Sequence, residues 1–300
     1  MKRVLVIKLG ALGDLVLAFA PFAAIRARYP DADITLLTTA PFAALMESAP
    51  WFDHVVVDSR PAWRDLRGLM RLRRQMAGFD AVYDLQTSGR SSRYFRLAGR
   101  PRWSGIASGA CWPHDNPQRD FMHTRARQRD QLRRAGIDQV PDPDLSWLAG
   151  GGPVLPGAYA LLVPGAAPHR PAKRWPAERF GALARLLAAR GLTPVIVGTA
   201  GEADLAAIIR AACPETVDLT GRTSLSELAG LAARATLAVG NDTGPMHLAA
   251  AMGCPSTVLF SRDSDPARTA PQGRAPGQVR VLRVDDLALL SVERVAASVA

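Results

Sequence analysis

Short runs of aliphatic and β-branched residues alternate with helical patterns along most of this chain. In the first half, strands are predicted at 3–8, 33–38, 54–59 and 80–85, with helices at 14–29, 41–49 and 62–76. The predicted strands contain consecutive apolar residues rather than a strict alternation of apolar and polar ones, which is typical of parallel strands covered by helices on both faces. The pattern therefore predicts an α/β fold built on a doubly wound parallel sheet.

The alternation stops at residues 140–158 and then begins again. This stretch, VPDPDLSWLAGGGPVLPGA, is rich in proline and glycine and has no regular period, so it is predicted to link two domains. Beyond it, strands are predicted at 159–164, 194–198, 216–220, 236–240 and 256–260, and helices at 178–191, 202–212, 224–235, 244–253 and 291–299. We expect doubly wound domains over 1–150 and 151–285, and a C-terminal helical segment over 286–300 that is able to pack back on the first domain.

The composition argues against several classes of protein. Hydrophobic residues make up 48% of the chain and charged residues 21%, as in a soluble globular protein. The first residues resemble a signal peptide, but Lys8 and Asp14 interrupt the apolar stretch, and no other apolar run approaches the ~20 residues of a membrane-spanning helix. A cytoplasmic protein is therefore predicted. Cys111, Cys213 and Cys254 are too widely spaced for a zinc site or a disulfide framework.

The chain is strongly basic, with a formal net charge of +10. A genome that favours arginine codons and an anionic partner would both produce this charge. Five arginines are spaced by four and three residues, which predicts one basic face on the helix at 62–76: Arg60, Arg64, Arg67, Arg71 and Arg74. Such a face is either an ordinary solvated surface or a contact for anionic lipid headgroups or an acidic substrate. No RNP, KH, zinc-finger or aromatic stacking pattern is present, so no nucleic-acid partner is expected, although nucleic-acid binding through the arginines stays an alternative.

Ligands of doubly wound sheets bind beyond the carboxyl ends of the strands, which makes the loops after the strands candidate site segments. The first such loop, KLGALGDL at 8–15, is not a dinucleotide fingerprint, but it places Asp14 at the start of a predicted helix. This carboxylate is either a helix N-cap or a general base. Gly10 and Gly13 would let a ligand approach the backbone closely.

Three loops of the second half carry further candidate residues. The segment NDTGPMH at 241–247 follows a strand and opens a helix, so it is either a phosphate site or a plain helix cap beside a buried histidine. The loop at 163–180 carries Lys173 among other cations, which either bind a pyrophosphate or are simply solvated. Glu202 follows the next strand, where it either binds ribose hydroxyls or complements a helix dipole.

Taken in order, these segments resemble glycosyltransferase family 9, the heptosyltransferases that build the inner core of lipopolysaccharide. The segments that carry the resemblance are KLGALGD (8–14), DLQTSGRS (84–91), PGAAPHRPAKRWP (164–176), GTAGE (198–202) and NDTGPMHLAAAMGCP (241–255). The resemblance spans nearly the whole chain. It implies a GT-B fold, in which two Rossmann-like domains face each other across a cleft, the first binding the acceptor and the second the nucleotide sugar.

The resemblance also implies an inverting, metal-independent transfer without a cofactor, typically from ADP-L-glycero-β-D-manno-heptose. The partners would be this nucleotide sugar and an anionic glycolipid acceptor, with peripheral contact to the cytoplasmic face of the inner membrane. A sugar-nucleotide epimerase and a non-catalytic nucleotide-binding protein are the alternatives. The segment FSRDSDPARTAP at 260–271 departs from the family's Gly-Pro-Thr-Asp-Pro loop.

Individual residues inherit expected roles from the resemblance. Asp14 matches the catalytic base. The expected nucleotide and phosphate contacts are Lys173, Glu202, Asp242, Thr243, Gly244 and His247. The expected acceptor contacts are Lys8, Arg60, Arg64 and Gln86. No metal ligand is expected.

Overall fold

The computed structural model describes residues 1–299 and divides into two compact units, Met1–Pro143 and Asp144–Ala300. The division falls inside the proline- and glycine-rich stretch at 140–158 that the sequence predicts as a linker. No helix within residues 1–299 is long and apolar enough to cross a bilayer.

The first unit is built on a six-stranded parallel sheet. Its strands are β1 (Arg3–Ile7), β2 (Asp33–Thr38), β3 (His54–Val57), β4 (Ala81–Asp84), β5 (Arg102–Gly105) and β6 (Trp112–Pro113), in the order β3-β2-β1-β4-β5-β6. In the central strand, Val6 pairs with Leu36 of β2 on one side and Tyr83 of β4 on the other. The order reverses beside β1, which is the Rossmann arrangement, and the carboxyl ends of β1 and β4 form the switch point where such sheets bind ligands.

The helices of the first unit are α1 (Leu12–Val16), α2 (Phe19–Arg28), α3 (Ala40–Glu47), α4 (Leu66–Gln75), α5 (Gly89–Leu97) and α6 (Thr124–Arg134). The single helix predicted at 14–29 is two helices in the structure. Pro21 explains the break, because a proline ring clashes with the carbonyl four residues earlier and is tolerated only in the first turn of a helix.

The predicted basic helix also begins later than expected. Asp65 caps α4 by accepting a hydrogen bond from the Gly68 N–H at 2.9 Å, so the helix starts at Leu66. Arg60 and Arg64 therefore lie outside the helix, and the prediction that they share one helical face with Arg67 is wrong. Arg60 adopts a left-handed backbone conformation with a φ of 50°.

The second unit repeats the topology of the first. Its strands are β7 (Tyr159–Val163), β8 (Thr193–Ile196), β9 (Val217–Asp218), β10 (Leu237–Asn241), β11 (Ser256–Phe260) and β12 (Val279–Arg283), in the order β12-β11-β10-β7-β8-β9. All neighbouring strands are parallel, and Val239 of β10 pairs with both Leu162 of β7 and Thr257 of β11. The switch point of this sheet lies between the carboxyl ends of β7 and β10.

The helices of the second unit are α7 (Ser146–Ala149), α8 (Ala177–Ala189), α9 (Ala203–Ala212), α10 (Leu225–Arg234), α11 (Gly244–Ala251), α12 (Pro266–Thr269) and α13 (Val292–Ala297). The guanidinium of Arg234 donates hydrogen bonds to the carbonyls of Ala149 at 3.0 Å and Gly151 at 2.9 Å, so the chain is ordered against α10 well before residue 158. The predicted boundary at 150 lies inside this ordered segment.

The last helix completes the core of the second unit. Val295 and Ala296 are buried with Phe180, Leu183 and Leu187 of α8. This segment was expected to be able to pack back on the first domain. Its buried side chains lie in the second unit, where they cover the apolar face of α8.

We predict that Gly10→Ala destabilises the protein more than Gly99→Ala. Both glycines have a positive φ, of 109° and 86°, so alanine is strained at either position. A Cβ at residue 10 would also overlap the ring of Phe42, whereas nothing lies within 4 Å of one at residue 99. We expect an additional loss of roughly 1–3 kcal/mol for Gly10→Ala. Equal urea midpoints for the two variants would contradict this account of the loop.

Candidate active site

The switch point of the first sheet is formed by backbone and side-chain contacts between the loops after β1 and β4. The ammonium of Lys8 is buried and donates to the Leu85 carbonyl at 3.2 Å. One residue further along each loop, the Leu9 N–H donates to Oε1 of Gln86 at 2.8 Å. The predicted acceptor residues Lys8 and Gln86 are therefore brought together by the strand order, although they are far apart in sequence.

Asp14 lies in the first turn of α1, beside this switch point. It is not the helix N-cap, because Ala11 occupies that position and makes no side-chain capping bond. The Asp14 carboxylate is partly exposed and accepts no hydrogen bond from residues 1–299. Its charge acts on the Lys8 ammonium: burial lowers the pKa of Lys8, and the nearby Asp14 carboxylate opposes that shift. A carboxylate that is accessible and unengaged is suited to accept a proton.

A second carboxylate, which the sequence analysis did not select, lies beneath the switch point. Asp84 ends β4 and is fully buried, with Oδ1 accepting the N–H groups of Gln86 at 3.1 Å and Thr87 at 3.0 Å. Burial raises the pKa of Asp84 to about 6, against the lowering effect of these hydrogen bonds and of Lys8. Its hydrogen bonds fix the loop that carries Gln86, so we assign it a positioning role.

Arg60 joins the same cluster through the backbone of Leu9. Its Nη2 donates to the Leu9 carbonyl at 3.1 Å, and its N–H donates to the buried carboxylate of Asp58 at 2.7 Å. Asp58 also accepts the hydroxyl of Tyr94 at 2.6 Å. Arg64, by contrast, is exposed and makes no side-chain hydrogen bond or ion pair with a described residue. Lys8, Gln86 and Arg60 thus share one network, and Arg64 is outside it.

Two further arginines, which the sequence motifs did not single out, lie beside this network. The guanidinium carbons of Arg90 and Arg93, on α5, each lie 5.2 Å from the ring centroid of Trp63. Arg90 Nε also donates to the Tyr94 hydroxyl at 2.7 Å. The motif DLQTSGRS did contain Arg90, but only the fold reveals that α5 packs its arginines on the loop that carries Arg60.

In the second unit, a buried ion pair joins two predicted site residues. Lys173 Nζ lies 2.6 Å from Oδ2 of Asp242, and their side chains are only 12% and 8% exposed. The Ser264 hydroxyl donates to the same oxygen at 2.7 Å. Ser264 lies in the segment at 260–271 that departs from the family pattern, so no sequence signal pointed to it. Together these contacts fix one cation at the switch point of the second sheet.

Asn241 connects the loops on both sides of that switch point. Its side chain is fully buried; Nδ2 donates to the Pro164 carbonyl at 2.8 Å, and Oδ1 accepts the N–H of Trp175 at 3.0 Å. The Trp175 indole in turn donates to the Leu290 carbonyl at 2.9 Å. These bonds hold the loop that carries Lys173 against the end of β10.

The remaining predicted nucleotide residues lie at the same edge of the sheet. Thr243 is the N-cap residue of α11, but its hydroxyl makes no capping bond, and Gly244 is the first helical residue. His247 is buried one turn further on. The Glu202 carboxylate accepts the Thr199 N–H at 2.6 Å and lies where a Cβ on Gly165 would be, so only glycine at 165 allows this approach. The structure therefore brings all six predicted residues to the carboxyl ends of β7, β8 and β10.

A family model described as "Glycosyltransferase family 9 (heptosyltransferase)" matches residues 112–290, which is more than half of the chain. This chain belongs to glycosyltransferase family 9. It is therefore a glycosyltransferase, and the resemblance inferred from the motifs is confirmed. The match includes every predicted residue of the second unit.

Individual members of the family are similar over different lengths. "Lipooligosaccharide heptosyltransferase 2" of Haemophilus influenzae is 39% identical over 106 residues, which cover 34% of this chain and only 30% of that relative. "Lipopolysaccharide core heptosyltransferase OpsX" of the same organism is 22% identical, with 93% of this chain and 84% of that relative covered.

Solved structures confirm the GT-B fold. The structure described as "E. coli heptosyltransferase WaaC with ADP" aligns with a TM-score of 0.82 at 22% identity and covers 98% of each chain. A UDP-GlcNAc 2-epimerase from Methanocaldococcus jannaschii also aligns, with a TM-score of 0.57 at 12% identity, over 100% of this chain and 92% of that chain. The fold alone thus does not separate a transferase from an epimerase, whereas family membership does.

We predict that Asp84→Asn removes a pH-dependent loss of stability. The folded protein keeps the Asp84 proton up to about pH 6, whereas an unfolded aspartate loses it near 3.8. The free energy of unfolding therefore falls through this group as the pH rises across that interval, by roughly 2–3 kcal/mol in total.

The measurement compares urea unfolding of wild type and Asp84→Asn from pH 4 to pH 7. The stability of the variant relative to wild type should rise across this range. A constant difference would mean that Asp84 does not titrate there, and burial would then not control its charge.

Proposed function

We propose that this glycosyltransferase moves a heptose, from ADP-L-glycero-β-D-manno-heptose, to an inner-core lipopolysaccharide acceptor. The reaction would invert the anomeric centre and need no metal ion. The names of the family relatives support the heptose and the acceptor, and the ADP that accompanies the similar WaaC structure supports the nucleotide. We further propose that the acceptor is reached at the cytoplasmic face of the inner membrane.

One observation carries this proposal: a carboxylate lies at the switch point of the first sheet, and an ammonium lies at that of the second. The first unit offers the unengaged carboxylate of Asp14, and the second offers the Lys173 ammonium beside the start of α11. Transfer of a sugar from a nucleoside diphosphate requires one proton acceptor and a stabilised anionic leaving group. Each sheet supplies one of these requirements.

In the proposed step, an acceptor hydroxyl oxygen attacks the anomeric carbon from the face opposite the diphosphate. The hydroxyl proton passes to the Asp14 carboxylate as the new carbon–oxygen bond forms. The bond between the anomeric carbon and the diphosphate breaks, and its electron pair leaves with the nucleoside diphosphate. Lys173 and the N–H groups at residues 243–244 would stabilise that added charge electrostatically.

The ion pair of Lys173 with Asp242 has a defined task in this proposal. Asp242, itself fixed by the Ser264 hydroxyl, holds the ammonium in place before the ligand arrives, so little side-chain entropy remains to be lost on binding. Glu202 would accept hydrogen bonds from the ribose hydroxyls. Arg60, with Arg90 and Arg93 nearby, would bind the anionic groups of the acceptor, and Lys8 and Gln86 would fix the loop that carries Asp14.

We predict that Asp14→Asn lowers the rate of heptose transfer by ~10²–10⁴-fold and leaves ADP affinity unchanged, because asparagine cannot accept the proton. The assay uses ADP-heptose and a lipopolysaccharide acceptor, with EDTA present throughout. Asp31→Asn, at an exposed carboxylate of the same unit, is the matched control and should keep full activity.

Unchanged turnover of Asp14→Asn would remove this carboxylate from the mechanism. Loss of wild-type activity in EDTA would refute metal independence while leaving the base assignment intact. Consumption of ADP-heptose that yields only an epimerised nucleotide sugar, with no glycosylated acceptor, would refute the proposed transfer.

We also predict that Lys173→Met weakens ADP binding by roughly 10–100-fold, since a charge-assisted hydrogen bond to phosphate is lost. Calorimetry with ADP, GDP, UDP and TDP measures this effect and the base preference together, and ADP should bind wild type most tightly. Lys2→Met, at an exposed lysine, is the control.

Lys173→Met leaves the Asp242 carboxylate buried without its cation, so a folding defect must be separated from a binding defect. The double variant Lys173→Met/Asp242→Asn removes both charges and should fold well, yet bind ADP as weakly as the single variant. Wild-type affinity in either folded variant would contradict the role of Lys173.

A further inference from the structure

Helix α4 turns an apolar and basic face to solvent in the first unit. Gly68 and Leu72 of α4 and the following Met76 are buried, which fixes the inward face of the helix. On the outward face, Leu66 is 69% exposed and Met70 is 54% exposed. These two residues are four positions apart, so their side chains are neighbours.

Arginines surround this apolar pair. Arg67, Arg71 and Arg74 follow at spacings of four and three and line one side of it, and Arg73 lies on the other. All four are exposed, and none makes a side-chain hydrogen bond or ion pair with residues 1–299. Asp65 is the only acidic residue within the sequence 60–76, and its carboxylate is engaged in capping. The face therefore combines unneutralised positive charge with exposed aliphatic side chains.

The aliphatic pair and the arginines must be explained together, and an anionic bilayer accounts for both better than plain solvation or a nucleic-acid site does. A merely solvated basic helix would not hold two large aliphatic side chains at the centre of its exposed face. A nucleic-acid site would match the arginines but would offer nothing to Leu66 and Met70. An anionic bilayer accepts both, because aliphatic side chains enter the acyl boundary while arginines remain at the headgroups.

We propose that α4 docks this enzyme on an anionic phospholipid bilayer, with Leu66 and Met70 inserted and the four arginines on the headgroup phosphates. This docking rests on the proposed function because it would bring the enzyme to a bilayer that holds the lipid-anchored acceptor. Docking itself requires neither the nucleotide sugar nor catalysis.

The test is sedimentation with vesicles made of equal parts phosphatidylglycerol and phosphatidylcholine, compared with vesicles of phosphatidylcholine alone. Wild type should bind the anionic vesicles far more tightly. Arg67→Gln/Arg71→Gln/Arg74→Gln should lose about a hundredfold in vesicle affinity, and Leu66→Ser/Met70→Ser about tenfold or more.

Matched controls come from the second unit. Leu289→Ser changes a side chain that is 80% exposed, and Arg185→Gln/Arg210→Gln/Arg294→Gln removes the same charge from other exposed arginines. Both controls should bind vesicles like wild type. If the two arginine triples lose affinity equally, net charge rather than α4 causes binding, and the proposal fails.

Two further outcomes also decide the question. Two results together would overturn the proposal in favour of a nucleic-acid surface. They are vesicle binding that Leu66→Ser/Met70→Ser does not change, and binding of a short DNA duplex that competes with vesicles. Turnover on a water-soluble, deacylated acceptor separates docking from chemistry: Leu66→Ser/Met70→Ser should keep it, whereas Asp14→Asn should lose it. Vesicle binding by an inactive wild type would refute the proposed function alone.

Discussion

The reversal of strand order beside β1 and beside β7 is the constraint on which the rest of the structure depends. All strands of each sheet are parallel, and successive strands are added first on one side of β1 or β7 and then on the other. At each reversal, the loops that follow the two neighbouring central strands turn in opposite directions and leave a crevice between them. In the first unit these loops carry Lys8 and Gln86, and in the second they carry Lys173 and Asp242. Residues that are about 70 or more positions apart meet because of topology.

Buried polar groups make these meeting points rigid. Asn241 spans the second switch point with bonds to both loops, and Asp84 holds the β4 loop of the first. A buried amide or carboxylate without such partners would cost free energy, so each bond that satisfies it also specifies one loop conformation. The candidate site residues beside them make fewer local hydrogen bonds: the Asp14 carboxylate accepts none within residues 1–299, and the Thr243 hydroxyl makes no capping bond.

Regular apolar strands were predictable from the sequence, and irregular ones were not. The strands at 33–38 and 256–260 match β2 and β11 residue for residue, because each is short, rich in β-branched and other apolar residues, and almost wholly buried. No strand was assigned at β5, which contains serine and glycine, or at β12, where arginine alternates with aliphatic residues at a half-buried edge. The fold class was still predicted correctly, because the central strands, which define a parallel sheet, were all recognised.

The helix α6 shows a different limit of sequence patterns. Its buried face is largely polar, with Thr124, Gln128 and Gln131 all at most 3% exposed, so hydrophobic periodicity does not reveal it. Gln131 donates to the Asp84 carbonyl at 2.9 Å and to the Ser104 hydroxyl at 3.2 Å. The motifs selected loops that the structure places at the two switch points, but the residues that hold those loops, such as Asp84, Asp58 and Ser264, became visible only through the fold.

The hydrogen bond from the Trp175 indole to the Leu290 carbonyl connects the segment that leads into α13 with the candidate nucleotide site. Arg179 donates to the same carbonyl, so the segment leading into α13 is fastened to the loop that carries Lys173. Lys173 and Leu290 are 117 positions apart in the sequence. A displacement of the segment at Leu290, for example by a bulky fusion partner, would therefore be transmitted through these bonds to the loop that carries the Lys173 ammonium. If Lys173 binds a diphosphate as proposed, substitutions in the segment leading into α13 would alter that contact indirectly, through Trp175 and Arg179.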